Sequence, residues 1–193
     1  MTAATEVKPA APDLARHPVV SATEWLAARR DLLQREKELT HLRDELSRRR
    51  RALPWVKVTK DYRFDTPEGQ KSLAELFAGR SQLIVQHFMF APDWDEGCSG
   101  CSFMADGVDG ALQHLVHHDV MAVAISRAPL SKLLAFRQRM GWHFPWVSCG
   151  DSSFNYDFHV SFTPEDLSDH KVNYNYDDNY AASGSDLPGC SVF

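Results

Sequence analysis

The chain has 193 residues, 44% of them hydrophobic, with 21 basic and 26 acidic side chains giving a formal net charge of -5. That length suits one ordinary core with some chain left over, and the weak acidic balance advertises neither a nucleic-acid groove nor a strongly anionic function. Four cysteines are too few for a disulfide scaffold, and no apolar run before Leu53 has the length of a signal peptide or membrane span, so a cytoplasmic location is expected without nucleic-acid or membrane partners.

Residues 1–20 carry Pro9, Pro12 and Pro18 without periodicity and read as a disordered lead-in. Ser21 then opens a capping box with Glu24, and Trp25, Leu32, Leu39, Leu42 and Leu46 follow at helical spacing. The spacing predicts a long amphipathic helix over 24–51, inside a segment 21–53 that Pro54 closes. Its last four arginines, Arg48 to Arg51, suit the negative end of the helix dipole as a solvated helix end, with anion, nucleic-acid or membrane contact as the lesser reading. The apolar stripe is narrow and fits either the domain or a second copy of itself, which leaves a homodimer through this helix as an open expectation.

From residue 54 to 193 the pattern is that of an α/β domain. Short extended pieces at 56–59 and 62–64 precede a turn at Thr66-Pro67-Glu68-Gly69, which suits a hairpin, and 72–77 suits a short helix. The apolar run 82–90 predicts a buried central strand, and 120–125 a second one. Between them Phe103, Val108, Ala111, Leu112 and Leu115 mark a helix, and another runs from Pro129 to a stop at Gly141. Strand, helix, strand, helix in that order implies parallel strands joined by a right-handed crossover. Residues 141–186 are aromatic and acidic and read as an insertion with little regular structure, while 187–193 begins one more strand.

The chemistry is concentrated in Cys98-Ser99-Gly100-Cys101, where a strand delivers two cysteines into a helix N-terminus. Amide donors and the helix dipole there favour a thiolate at Cys98, and Cys101, one turn further in, is placed to resolve a mixed disulfide. Asp93, Asp95 and Glu96 oppose that thiolate, so a reducing pair is expected rather than a strongly oxidising one. No basic residue adjoins the motif in sequence, although Arg127 and His87 stand near the ends of their strands.

The competing reading is a zinc-holding or purely structural C-x-x-C in a binding or assembly module, with Cys149, Cys190 or a histidine as further ligands. His114 and His118 share one helical face and form a second, weaker metal candidate; solvated or core histidines are the favoured reading. Cys149 and Cys190 are read as small packing residues, and the aromatic residues of 141–186 as packing or as a substrate groove.

Phe64-Asp65-Thr66-Pro67-Glu68-Gly69, Leu73 and Leu76 ahead of the apolar strand resemble the entry to thioredoxin-like and peroxiredoxin-like domains. His87-Phe88-Met89-Phe90, Asp93-Trp94, Gly97-Cys98, Cys101-Ser102-Phe103, Ser126-Arg127-Ala128-Pro129 and Arg139-Met140-Gly141-Trp142 more closely resemble an uncharacterised bacterial thioredoxin-like family named for dithiol-disulfide oxidoreductase activity. The likeness runs from about residue 20 to 193 and includes Phe144-Pro145-Trp146-Val147-Ser148 and Phe154-Asn155-Tyr156-Asp157.

The resemblance implies a thioredoxin-like fold, a central mixed sheet flanked by helices, with Cys98 attacking and Cys101 resolving. Trp94, Ser126, Arg127 and Pro188 would shape the site, Pro188 standing where thioredoxins carry a cis-proline. The implied substrate is a protein or small-molecule disulfide or thiol, with no cofactor beyond the redox-active cysteine pair. Gly97 replaces the tryptophan that thioredoxins place before the first cysteine. Members of the family run on past 188–193 into a further strand and helix, so the resemblance also implies a C-terminal truncation. Peroxide reduction shares the fold, but the spacing around Cys98 does not match it.

Overall fold

The computed structural model describes residues 17–150, 152–168 and 171–193, so the expected lead-in lies outside the described residues up to residue 16. The chain divides into two compact units, Met1–Val58 and Thr59–Phe193. The described part of the first is dominated by α1 (Ala22–Arg51), which starts at the capping box foreseen in the sequence: Ser21 Oγ accepts the Glu24 amide, and the Glu24 carboxylate accepts the Ser21 amide. Residues 56–59, expected to be extended and paired, form no strand. Their alternation of apolar and polar residues finds no partner among the described strands.

The second unit begins with the hairpin β1 (Arg63–Thr66) and β2 (Gly69–Ser72), turning at Pro67-Glu68 with Gly69 at φ +110°. Ser72 and Glu75 form a second capping box over α2 (Leu73–Leu76). Then come β3 (Gln82–His87), α3 (Ser99–His117), β4 (Val120–Ser126), α4 (Leu130–Met140) and β5 (Trp146–Ser148). α5 (Phe154–Asp157), the hairpin β6 (Val172–Tyr174) and β7 (Asp177–Tyr180), and β8 (Gly189–Val192) complete the order.

Six strands form one mixed sheet in the order β2-β1-β5-β4-β3-β8. β3, β4 and β5 run parallel, as the strand-helix alternation requires, while β1 meets β5 and β8 meets β3 antiparallel. Alternation along these strands splits the core in two. Leu83, Val85, Val123, Ile125 and Val147 face one side with Tyr62, Phe64, Leu76 and Phe154. On the other side Ala124 and Trp146 meet Cys101 and Ala105 of α3 and Leu133 and Phe136 of α4. The small side chains of Ala122 and Ala124 let α3 lie close to β4. A C-x-x-C helix crossing between parallel central strands, an antiparallel strand beyond β3 and helices on the sheet make this a thioredoxin-like fold.

The segment 141–186 is more ordered than its sequence suggests, because β5 lies within it and supplies a central strand to the sheet. Three residues, Trp-Val-Ser, are too short a run for periodicity to register. The strand expected over 82–90 ends at His87, after which Phe88, Phe90 and Cys98 are held by single backbone bonds to Ile125, Ala128 and Met89.

Candidate active site

Cys98 is the N-cap of α3, and its Sγ accepts the amide N–H of Cys101 at 3.4 Å. Its own amide donates to Met89 O at 3.1 Å, and its carbonyl accepts both the amide and the hydroxyl of Ser102 at 2.9 Å. The residue is therefore fixed from both ends while its side chain remains half-exposed. Cys101 is 2% exposed, with its carbonyl accepting Gln86 Nε2 at 3.0 Å. Burial pushes the Cys101 thiol up to about 12, and the nearby Cys98 sulfur adds to the rise. One sulfur is open and capped by an amide; the other is sealed and held as a thiol.

Gly97 has a steric reason to replace tryptophan. A Cβ there would lie 2.8 Å from Phe88 Cε1 and 3.4 Å from Phe136 Cζ, and Phe88 is 1% exposed with no room to swing away. Trp94, further back in the loop, packs on the same apolar cluster as Cys98. α4 fastens this loop: Lys132 Nζ donates to Pro92 O at 3.0 Å and Trp94 O at 2.7 Å, and Arg139 pairs with Glu96 at 2.7 Å. These two basic residues gave no signal in sequence, since only the crossover through β4 brings them to the loop. The Glu96 charge, expected to oppose a thiolate, is thereby paired.

Other expected site residues lie elsewhere. Ser126 is fully buried, donating to Phe88 O at 2.6 Å and accepting Trp146 Nε1 at 2.9 Å, so it braces the chain after β3. Arg127 makes a partly buried two-point pair with Asp186 at 2.8 and 2.6 Å and donates to the Tyr156 hydroxyl at 3.0 Å. The sulfur in its field is that of Cys149, whose thiol is buried and pushed up to about 12 by that burial. Held at two points, with Ser185 Oγ accepting a further guanidinium N–H at 3.2 Å, the arginine suits a structural tie between β4 and the 185–186 segment.

His87 points to the sheet face opposite α3, stacked on Phe154, with Nδ1 donating to Asn155 Oδ1 at 3.1 Å and Nε2 accepting Ser191 Oγ at 2.8 Å. The assignment of donor and acceptor follows from the amide oxygen on one side and the hydroxyl on the other. Burial pulls its pKa below the usual 6.5.

Pro188 departs from the expectation of a cis-proline, because every described peptide bond is trans. Its carbonyl accepts the Tyr174 hydroxyl at 2.6 Å. Burial raises the pKa of that hydroxyl, so Tyr174 stays a phenol that ties the 172–174 strand to Pro188. Beside it a cleft of about 310 Å³ is lined by Phe158, Tyr174, Tyr176, Pro188 and Cys190. Cys190 pairs in register with Gln86, on the α3 side of the sheet, and is exposed.

His114 and His118 are exposed at the far end of α3. Among the described residues no three His, Cys, Asp or Glu side chains gather as a metal site, either there or around the cysteine pair. No helix among them is long and apolar enough to cross a membrane.

Residues 14–193 match the model of a family described as bacterial protein of unknown function (DUF899), a description that carries no activity. No curated protein matches the chain. Solved structures similar to it include a peroxidoxin, BcpB, from Mycobacterium tuberculosis, 17% identical with a TM-score of 0.47 over 55% of this chain and 66% of that one. PrxQ of Xylella fastidiosa is 15% identical, with a TM-score of 0.44 over 57% and 70% of the two chains. A bacterioferritin comigratory protein of Xanthomonas campestris is 17% identical, with a TM-score of 0.45 over 67% and 71%. The chain thus spans about two thirds of the peroxidoxin's length, and no residue role follows from these alignments.

Proposed function

The chain belongs to the DUF899 family, and we propose that in it the Cys98–Cys101 pair carries out thiol-disulfide exchange. The observation that carries this reading is the asymmetry of the two sulfurs: Cys98 open at the first turn of α3 with an amide donated to it, Cys101 buried one turn behind. The Cys98 thiolate attacks one sulfur of a substrate disulfide, forming a mixed disulfide and expelling the other substrate sulfur as a thiolate. Once Cys98 is bonded and uncharged, Cys101 passes its proton toward a departing sulfur and attacks Cys98. The substrate leaves as a dithiol, two electrons richer, and the protein holds a Cys98–Cys101 disulfide that an external dithiol reductant must reduce again.

The pair itself is the reactive group, and no separate cofactor takes part. Phe103 and Met104, 82% and 53% exposed on the first turns of α3, present an apolar surface beside the motif that suits a disulfide carried on a protein. Insulin reduction followed by turbidity tests the reading. The wild type accelerates precipitation and Cys98→Ser falls to the uncatalysed background; equal rates in the two proteins overturn it.

A further inference from the structure

The long helix α1 leaves its apolar positions open. Trp25 is 59% exposed, Leu32 54%, Leu39 48% and Leu46 42%, and no residue of the helix is buried. These four recur at every seventh position, and Ala28 and Leu42 fall three places after the first and third of them. That is the a and d spacing of a left-handed supercoil, sustained over a helix of 30 residues. An apolar seam of this width is too narrow for a helix meant to be enclosed on several sides, and it suits one facing helix.

The charges beside the seam say which helix. With Trp25, Leu32, Leu39 and Leu46 at a, the g positions are Glu24, Asp31, Glu38 and Glu45, all acidic. The e positions are Arg29, Glu36, Arg43 and Arg50, basic in all but one case. In a parallel pair of identical helices each g residue meets the e residue five places further along the other copy. Glu24 then faces Arg29, Glu38 faces Arg43 and Glu45 faces Arg50. The one like-charged pair, Asp31 with Glu36, is relieved because Glu36 is already held by Arg29 of its own helix at 2.9 Å. An antiparallel pair would set g against g, acid against acid along the whole length, and e against e, mostly arginine against arginine.

We infer that α1 associates with α1 of a second copy of this chain as a parallel, in-register, two-stranded coiled coil. Arg35 and Arg49, which occupy d positions, restrict the assembly to two strands. Their stems lie along the seam while their guanidinium groups reach its edge, where Glu38 and Glu45 of the same helix hold them. A third helix would close off that exit. The inference is independent of the chemistry at Cys98.

Light scattering on the full chain over a range of micromolar concentrations gives a dimer. Glu38→Arg with Glu45→Arg places four like charges against the other copy's arginines and weakens the dimer at least about tenfold, as does Arg43→Glu with Arg50→Glu. Mixing the two double variants restores every g–e attraction and gives a heterodimer, which also shows that neither had lost its fold. In a Leu46→Cys variant, mild oxidation joins the two substituted positions, read by mass spectrometry of the cross-linked peptide. A monomer at all concentrations, a dimer indifferent to the charge reversals, or a dimer in which the substituted positions never join each overturns the inference.

Discussion

Gly97 shows how narrowly the site is fitted. Its backbone passes so close to the Phe88 ring that one added carbon must displace a fully buried aromatic or shift the loop that delivers Cys98. Gly97→Ala is expected to destabilise the fold by about 1–3 kcal/mol, seen as a lower urea midpoint with an unchanged slope. An unchanged midpoint would mean that the loop yields freely, and that the glycine is not there for want of space. The same closeness explains why no aromatic residue precedes the first cysteine. Trp94 instead packs against the cluster from further back, where Lys132 holds its carbonyl.

Among the elements, β8 is held to β3 by a short backbone ladder and by the His87–Ser191 bond, with Asn155 on the other ring nitrogen. Because burial lowers the His87 pKa in the folded protein, the unfolded chain takes up a proton first as the pH falls. The stabilisation is complete above the ordinary histidine value of 6.5 and is lost as the pH falls from there toward the depressed folded value. The urea midpoint should therefore drop between about pH 8 and about pH 5, and that drop should shrink in His87→Asn. An identical drop in both proteins would assign it to other groups.

What the sequence discloses follows the same scale. β3, β4, α3 and α4 are legible because each buries a face long enough to leave a period in the chain, and the C-x-x-C motif marks its own place at the start of α3. β5 is not legible, since its strand character comes from β4 and β1 on either side and not from its three residues. The extended reading of 56–59 fails for the converse reason, a strand-like pattern with no neighbour to pair with. Arg127 looked like a candidate for the site because β4 ends beside it. Its partner, Asp186, stands in a segment with no periodic signal, so the ion pair that occupies it cannot be seen in sequence. Lys132, Arg139 and Tyr174 reach the Cys98 loop or Pro188 only through the fold.

At the scale of the molecule, every residue in the three apolar clusters belongs to 59–193. A chain beginning at residue 59 is accordingly expected to unfold in a single cooperative transition, with circular dichroism and tryptophan fluorescence giving coincident curves. Separated curves would show that the first unit is needed to complete the second. With the exchange chemistry proposed above, a cooperative fold of this kind ties its own persistence to the state of two sulfur atoms. The amide of Cys101 is given to a sulfur that accepts best when it carries a negative charge, and less well once that sulfur is bonded to its neighbour. If the pair closes to a disulfide as proposed, folding and electron uptake are two legs of one thermodynamic square, and whatever free energy the contact adds to the folded dithiol over the folded disulfide must reappear, equal in size, as a greater affinity of the pair for electrons.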